Sequence, residues 1–94
     1  MGEDGHVASL FPREASELRE SRAVYRSVIG PKPPPNRVTL GYAAIVAARK
    51  VWMLASGAGK EIALRESLSA TGTTPFGRVI QLRSRTNIFT DIVF

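Results

Sequence analysis

Apolar residues come in short bursts along this chain, and the spacing inside each burst predicts its element. Val51-Trp52-Met53-Leu54-Ala55 is a continuous apolar run of strand length, the pattern of a parallel strand buried on both faces. Upstream of it, Gly41 to Arg49 is alanine-rich with Tyr42, Ile45 and Val46 apolar. That predicts a helix whose basic end, Arg49-Lys50, complements the negative pole of the helix dipole. Downstream, Ser56-Gly57-Ala58-Gly59-Lys60 is a glycine loop, and Lys60 to Ser69 predicts an amphipathic helix with Ile62, Leu64 and Leu68 on its apolar side. Thr71-Gly72-Thr73-Thr74-Pro75 breaks that helix. Phe76 to Leu82 reads as irregular or short extended structure, and Asn87 to Phe94 as a final strand.

The first half is more broken. Gly2 to Pro12 reads as a loop, with Leu10 and Phe11 anchoring it in a core. Ser16 to Arg22 predicts a helix with Ser16 as its N-cap. Ala23 to Ile29 alternates in part and predicts a short strand. Three consecutive prolines in Gly30 to Asn36 predict a rigid polyproline II connector, after which Arg37 to Leu40 is extended. This order predicts an α/β fold with a mainly parallel sheet and flanking helices. Only two or three helices are available to cover that sheet. The expectation is therefore a single domain over residues 1–94 that forms part of a larger sheet.

Composition narrows the class. The chain has 94 residues, 44% hydrophobic and 22% charged, which suits a soluble globular domain and neither disorder nor a membrane protein. The longest apolar stretch is interrupted by Arg49 and Lys50, short of the roughly 20 apolar residues that span a bilayer. Residues 1–6 lack the basic start and apolar core of a signal peptide. With no cysteine, disulfides and thiolate metal sites are excluded, and a cytoplasmic location is expected. The net charge of +5 is spread over scattered arginines and lysines, without the basic, aromatic-interleaved block of a single-strand nucleic-acid surface. A small anionic partner accounts for it as well. One histidine and scattered carboxylates form no metal-ligand pattern, and no cofactor fingerprint appears.

The chemistry rests on few residues. His6 is the only histidine, hence the one side chain whose ordinary pKa, about 6.5, lies near working pH. Asp4, two residues earlier, is placed either to orient that imidazole or to bond nearby loop N–H groups. Gly2 and Gly5 permit positive φ or close approach to a ligand. Ser9 is open to substrate bonding or to a turn role. Lys60 closes a Gly57-Ala58-Gly59-Lys60 loop at a strand-to-helix junction, where anions are favoured; the Walker A spacing is absent. Arg37 is equally suited to hold a phosphate in its fork or to brace the proline-rich segment.

Together these segments resemble one family. Gly2-Glu3-Asp4-Gly5-His6-Val7-Ala8-Ser9-Leu10-Phe11-Pro12 resembles the G-x-D-G-H-x-A-S-L-F-P signature of 6-phosphogluconolactonases. Pro31 to Leu40 is similar to their K-P-P-x-R segment, and Ser56 to Lys60 to their S-G-x-G-K loop. The match spans positions 2 to 60 and is looser beyond. The resemblance implies a Rossmann-like α/β fold and hydrolysis of a sugar-phosphate lactone in the pentose phosphate pathway. It implies His6 as general base with Asp4, and Lys60, Arg37, Gly5 and Ser9 as substrate- or phosphate-binding residues. The related glucosamine-6-phosphate deaminases continue differently after their G-H pair, and Ser9-Leu10-Phe11-Pro12 favours the lactonase. Family members are more than twice this length with the signature past their midpoint, so the resemblance covers a C-terminal portion. That leaves a second expectation, a catalytically silent remnant stabilised by self-association or by a partner; a homo-oligomer, or a missing N-terminal half, is expected accordingly.

Overall fold

In this computed structural model, which describes residues 1–93, the apolar run at 51–55 forms strand β3 (Trp52–Ala55). It pairs in parallel with β4 (Asn87–Thr90), Trp52 opposite Asn87 and Ala55 opposite Thr90. The end of the expected final strand, Phe94, lies outside the described residues. Strand alternation turns Met53, Ala55 and Ile88 towards the core and Trp52, Leu54 and Phe89 away from it. The expected burial on both faces does not occur: Trp52 is 63% exposed, because among the described residues the helices cover one side only.

The crossover between those strands holds two helices, α3 (Glu61–Leu68) and α4 (Pro75–Leu82), the first preceded by a 3-10 turn at Ala58–Lys60. Residues 76–82, expected to be irregular or extended, are helical. Thr74 accepts a hydrogen bond from the Gly77 N–H at 3.0 Å, and Pro75 occupies the first helical position, where its fixed φ and missing N–H do no harm. Phe76 and Val79, three apart, are then buried together. The apolar side expected for α3 is also rotated. Ile62 is 82% exposed, while Ala63, Leu64 and Ser67 face inward, the small residues admitting α4 at close range.

Ser67, Thr74 and Gly77 form a buried chain of hydrogen bonds. The Ser67 hydroxyl donates to Ala63 C=O at 2.7 Å and the two hydroxyls lie 2.5 Å apart. With the Ser67 proton directed at Ala63, the Thr74 hydroxyl donates to Ser67 and accepts from Gly77.

The proline-rich segment is the bend of a hairpin and not a linker. β1 (Tyr25–Ile29) and β2 (Asn36–Leu40) pair antiparallel, and Gly30 N–H donates to Pro35 C=O at 2.7 Å across the turn. The inward side carries Arg26, Val28, Arg37 and Thr39, whereas Tyr25, Ile29 and Val38 face solvent. Arg26 meets Glu14 in a two-pronged ion pair at 2.6 and 2.9 Å, fastening the hairpin to the loop before α1. Helix α1 (Ser16–Arg19) begins after Ala15, so Ser16 is its first residue and not its cap. α2 (Tyr42–Ala47) ends before Arg49 and Lys50. Its last carbonyls receive Arg83 instead, whose Nη1 bonds Ile45, Val46 and Ala48 oxygens at 3.3, 2.9 and 2.6 Å. Val7, Leu10, Tyr42, Ala55, Leu64, Phe76 and Val79 form the core.

Removing the Thr74 hydroxyl deprives the buried Gly77 N–H and Ser67 hydroxyl of a partner. Thr74→Ala is expected to lower stability by about 1–2 kcal/mol, and Thr74→Ser to retain most of it. Urea unfolding of both variants checks this; equal losses would mean that the methyl group, not the hydroxyl, holds the junction.

Candidate active site

The loop that carries the histidine is closed on itself by two backbone bonds, Gly2 N–H to His6 C=O at 2.9 Å and Gly5 N–H to Gly2 C=O at 3.0 Å. Gly5 has φ +85°, and a Cβ there would lie 2.6 Å from Thr74 Cβ, so only glycine fits. Its carbonyl accepts from Phe76 N–H at 3.1 Å. The loop thus rests on the first turn of α4, and its far end is fixed by buried Leu10 and Phe11.

On this support Asp4 Oδ1 accepts twice from His6, from the backbone N–H at 3.0 Å and from ring Nδ1 at 2.6 Å. A carboxylate accepts only, so Nδ1 carries the proton and Nε2 keeps its lone pair in the neutral ring. The Phe11 ring lies 4.9 Å from the imidazole. A side chain at position 2 would collide with that imidazole, so glycine leaves it room. Lys32 Nζ stands 3.6 Å from the second Asp4 oxygen. Partial burial pushes the Asp4 carboxyl up. The His6 backbone N–H, the His6 ring and Lys32 outweigh it, holding the group below its ordinary 3.8.

Lys60 reaches the same end of the molecule by another route. A side chain at Gly59 would strike the Glu3 carboxylate, so the glycine loop lies against residues 1–3. Burial and then the Lys60 charge lower the pKa of the Met1 amino group. Gly57 takes φ +98°. Its N–H and the Ser56 hydroxyl both donate to Asp91, at 3.1 and 3.0 Å. Those two bonds hold the Asp91 carboxyl below its ordinary range and tie the loop to the end of β4.

Arg37 donates to the Pro34, Lys32 and Pro33 carbonyls at 2.8, 3.2 and 3.1 Å and stacks over Phe11 at 5.2 Å. Its guanidinium is engaged by the hairpin bend that carries Lys32. Ser9 meets its surroundings through its backbone N–H, which donates to Thr39 Oγ1 at 3.0 Å. Two cavities lie nearby, one of about 740 Å³ between Phe11, Glu14 and the hairpin and one of about 640 Å³ lined in part by Asp4. Neither wall includes His6 or Lys60. The candidate centre is the His6–Asp4 pair, because proton transfer calls for a fixed ring with a free nitrogen. Among the described residues no three His, Asp or Glu side chains gather as a metal site. Residue reasoning did not single out Lys32, Thr74 or Asp91. The first was signalled by its place in the proline motif; the others act through contacts far away in sequence.

The model of the glucosamine-6-phosphate isomerases/6-phosphogluconolactonase family matches residues 1–89. The 6-phosphogluconolactonase of Mycobacterium tuberculosis is 44% identical over 68 residues, covering 72% of this chain and 28% of that protein. The Streptomyces coelicolor 6-phosphogluconolactonase is 50% identical over 76 residues, with 77% and 28% covered. The solved Trypanosoma brucei 6-phosphogluconolactonase superposes with a TM-score of 0.76 at 31% identity, over 96% of this chain and 36% of that one. The chain thus spans under a third of the length of these curated relatives. No helix among the described residues is long and apolar enough to cross a membrane.

Because Asp4 ionises more readily folded than unfolded, its charge stabilises the fold above the ordinary carboxyl value of 3.8. That contribution is lost as pH falls through the lowered folded value. Asp4→Asn is therefore expected to be less stable than the parent at neutral pH, with the gap closing in acid. Urea midpoints of both chains across pH check it, and a gap constant with pH would remove the charge from the account.

Proposed function

The chain belongs to the glucosamine-6-phosphate isomerase/6-phosphogluconolactonase family, and from that premise we propose that it carries the proton-transfer centre for hydrolysis of 6-phosphogluconolactone. The observation behind this reading is the 2.6 Å bond from His6 Nδ1 to Asp4, which leaves Nε2 free to act as a base. Water attacks the lactone carbonyl carbon while its proton passes to Nε2, and the carbonyl π pair moves onto oxygen. Collapse of the tetrahedral adduct breaks the bond to the ring oxygen. The imidazolium then returns its proton there, so one water is consumed and an open hydroxy acid results. Asp4 steadies the imidazolium through the same bond.

Lys60 supplies a cation for the 6-phosphate, and Gly5, at positive φ, shapes the loop that presents His6 to the substrate. Arg37 is a positioning residue, acting through the bend that presents Lys32. Ser9 holds the loop through its backbone. The continuation Ser9-Leu10-Phe11-Pro12 and the relatives named as lactonases favour this chemistry over deamination. A cysteine-free chain suits the reducing cytoplasm. The exposed Trp52, Leu54 and Phe89 favour a second reading, in which residues 1–94 are one part of a larger α/β unit and work only when that face is covered.

Hydrolysis of freshly generated 6-phosphogluconolactone, with the buffer rate subtracted, separates the two. An active chain is expected to lose roughly 10²–10⁴-fold in rate on His6→Ala, and to need more substrate for half-saturation on Lys60→Ala. A folded chain with no rate above buffer would leave the second reading.

A further inference from the structure

Away from the His6 centre, three arginines converge on a second place. Arg13, Arg19 and Arg78 line a cavity of about 140 Å³ together with Tyr42, Thr73 and Gln81. Among the described residues none of the three makes an ion pair. Glu14, the carboxylate whose charge also reaches Tyr42, is already engaged by Arg26 at 2.6 and 2.9 Å. Arg78 is held in place: its guanidinium lies 5.2 Å over the Tyr42 ring and its Nη2 donates to Arg19 C=O at 3.3 Å. Its Nε is buried with no partner, a cost that an adjacent anion offsets. The Gln81 amide N–H is engaged by Gly72 C=O at 3.0 Å, and the charged residues lining the cavity are all arginines.

Arg13 adds a second observation. It has φ +68°, a left-handed conformation that L-residues rarely adopt. Such strain concentrates where a side chain has work to do. The cavity is well under the roughly 300 Å³ of an ordinary small-molecule site, which restricts its contents to a compact ion. It shares Pro12, Arg13, Arg19 and Thr73 with the 640 Å³ groove that reaches Asp4. Two carboxylates line that groove, Asp4 and Glu66; the first is bound to His6 and Lys32, and neither lines the smaller cavity.

We propose that Arg13, Arg19 and Arg78 form an oxyanion site for a phosphoryl group, separate from the one assigned above to Lys60. Guanidinium forks match the paired oxygens of phosphate. The phosphoryl group sits among the arginines, and anything attached to it extends along the groove. Its source is free inorganic phosphate or a phosphorylated sugar.

Calorimetric titration with inorganic phosphate tests the site on four chains: the parent, Lys60→Ala, Arg13→Gly and Arg78→Met. Arg13→Gly is the informative variant, since glycine relaxes the positive φ and leaves the fold at least as stable while deleting one fork. A phosphate site of the same affinity is expected in the parent and in Lys60→Ala, and that site is expected to bind about tenfold or more weakly in Arg13→Gly and Arg78→Met. No binding to the parent, undiminished binding to Arg13→Gly, or loss confined to Lys60→Ala would overturn the proposal. In the Lys60→Ala background, competition by 6-phosphogluconate but not gluconate assigns the site to a sugar phosphate. Competition by neither assigns it to the free ion. The readout is binding, so an inactive chain that still binds phosphate at Arg13 defeats the lactonase reading alone.

Discussion

The contact between Gly5 and Thr74 is the constraint on which the arrangement rests. Thr74 starts α4, is bonded to Ser67 of α3, and meets Gly5 of the histidine loop, where a side chain would strike it. A single threonine therefore sets the height of the loop, the start of one helix and the spacing of two. Since the Gly5 carbonyl also accepts the Phe76 N–H, one of the orphan donors of the α4 N-terminus is satisfied by the loop itself. Loop and helix each complete the other's hydrogen bonding, and the stiffness of the His6 ring follows from it.

Three segments distant in sequence are each braced by a charged group bonded wholly or partly to backbone. Arg37 holds the bend that carries Lys32, and Asp91 holds the turn before Lys60. Arg83 closes α2. A guanidinium satisfied by several carbonyls is fixed in place without needing a counter-ion. This is how a strongly basic chain positions loops with few acidic partners. It also means that the charges of Arg37 and Arg83 serve the fold.

What could be read from the sequence follows the range of the forces involved. The loop, the strand at 52–55, the helices at 42–47 and 61–68, and the α/β class came from local pattern, because apolar runs and glycines act within a few residues. The bend at Gly30 to Asn36 was misread as a linker because prolines disclose stiffness and not the pairing of the strands beside them. Residues 75–82 were missed as a helix because Gly77, Val79 and Ile80 have low intrinsic propensity; the Thr74 cap and burial of Phe76 override it. The inward face of α3 was misplaced since Ala63 and Ser67 are chosen by contact with α4, which no local window contains. The His6–Asp4 contact, two residues apart, lay within reach. Lys32 beside Asp4 and Asp91 beneath Gly57 are tertiary facts.

The uncovered side of β3 has a practical corollary. Trp52 is the only tryptophan in the chain, and it stands on that side, edge-on to Phe89 with ring centres 5.9 Å apart. Its intrinsic fluorescence is therefore a built-in gauge of whether the face is wet or shielded: red emission quenched by iodide in water, blue and protected beneath a neighbour. The indole belongs to the side of the sheet opposite the core, so the same signal separates assembly from unfolding when paired with circular dichroism. The chain carries its own reporter on the surface whose surroundings matter most to its state.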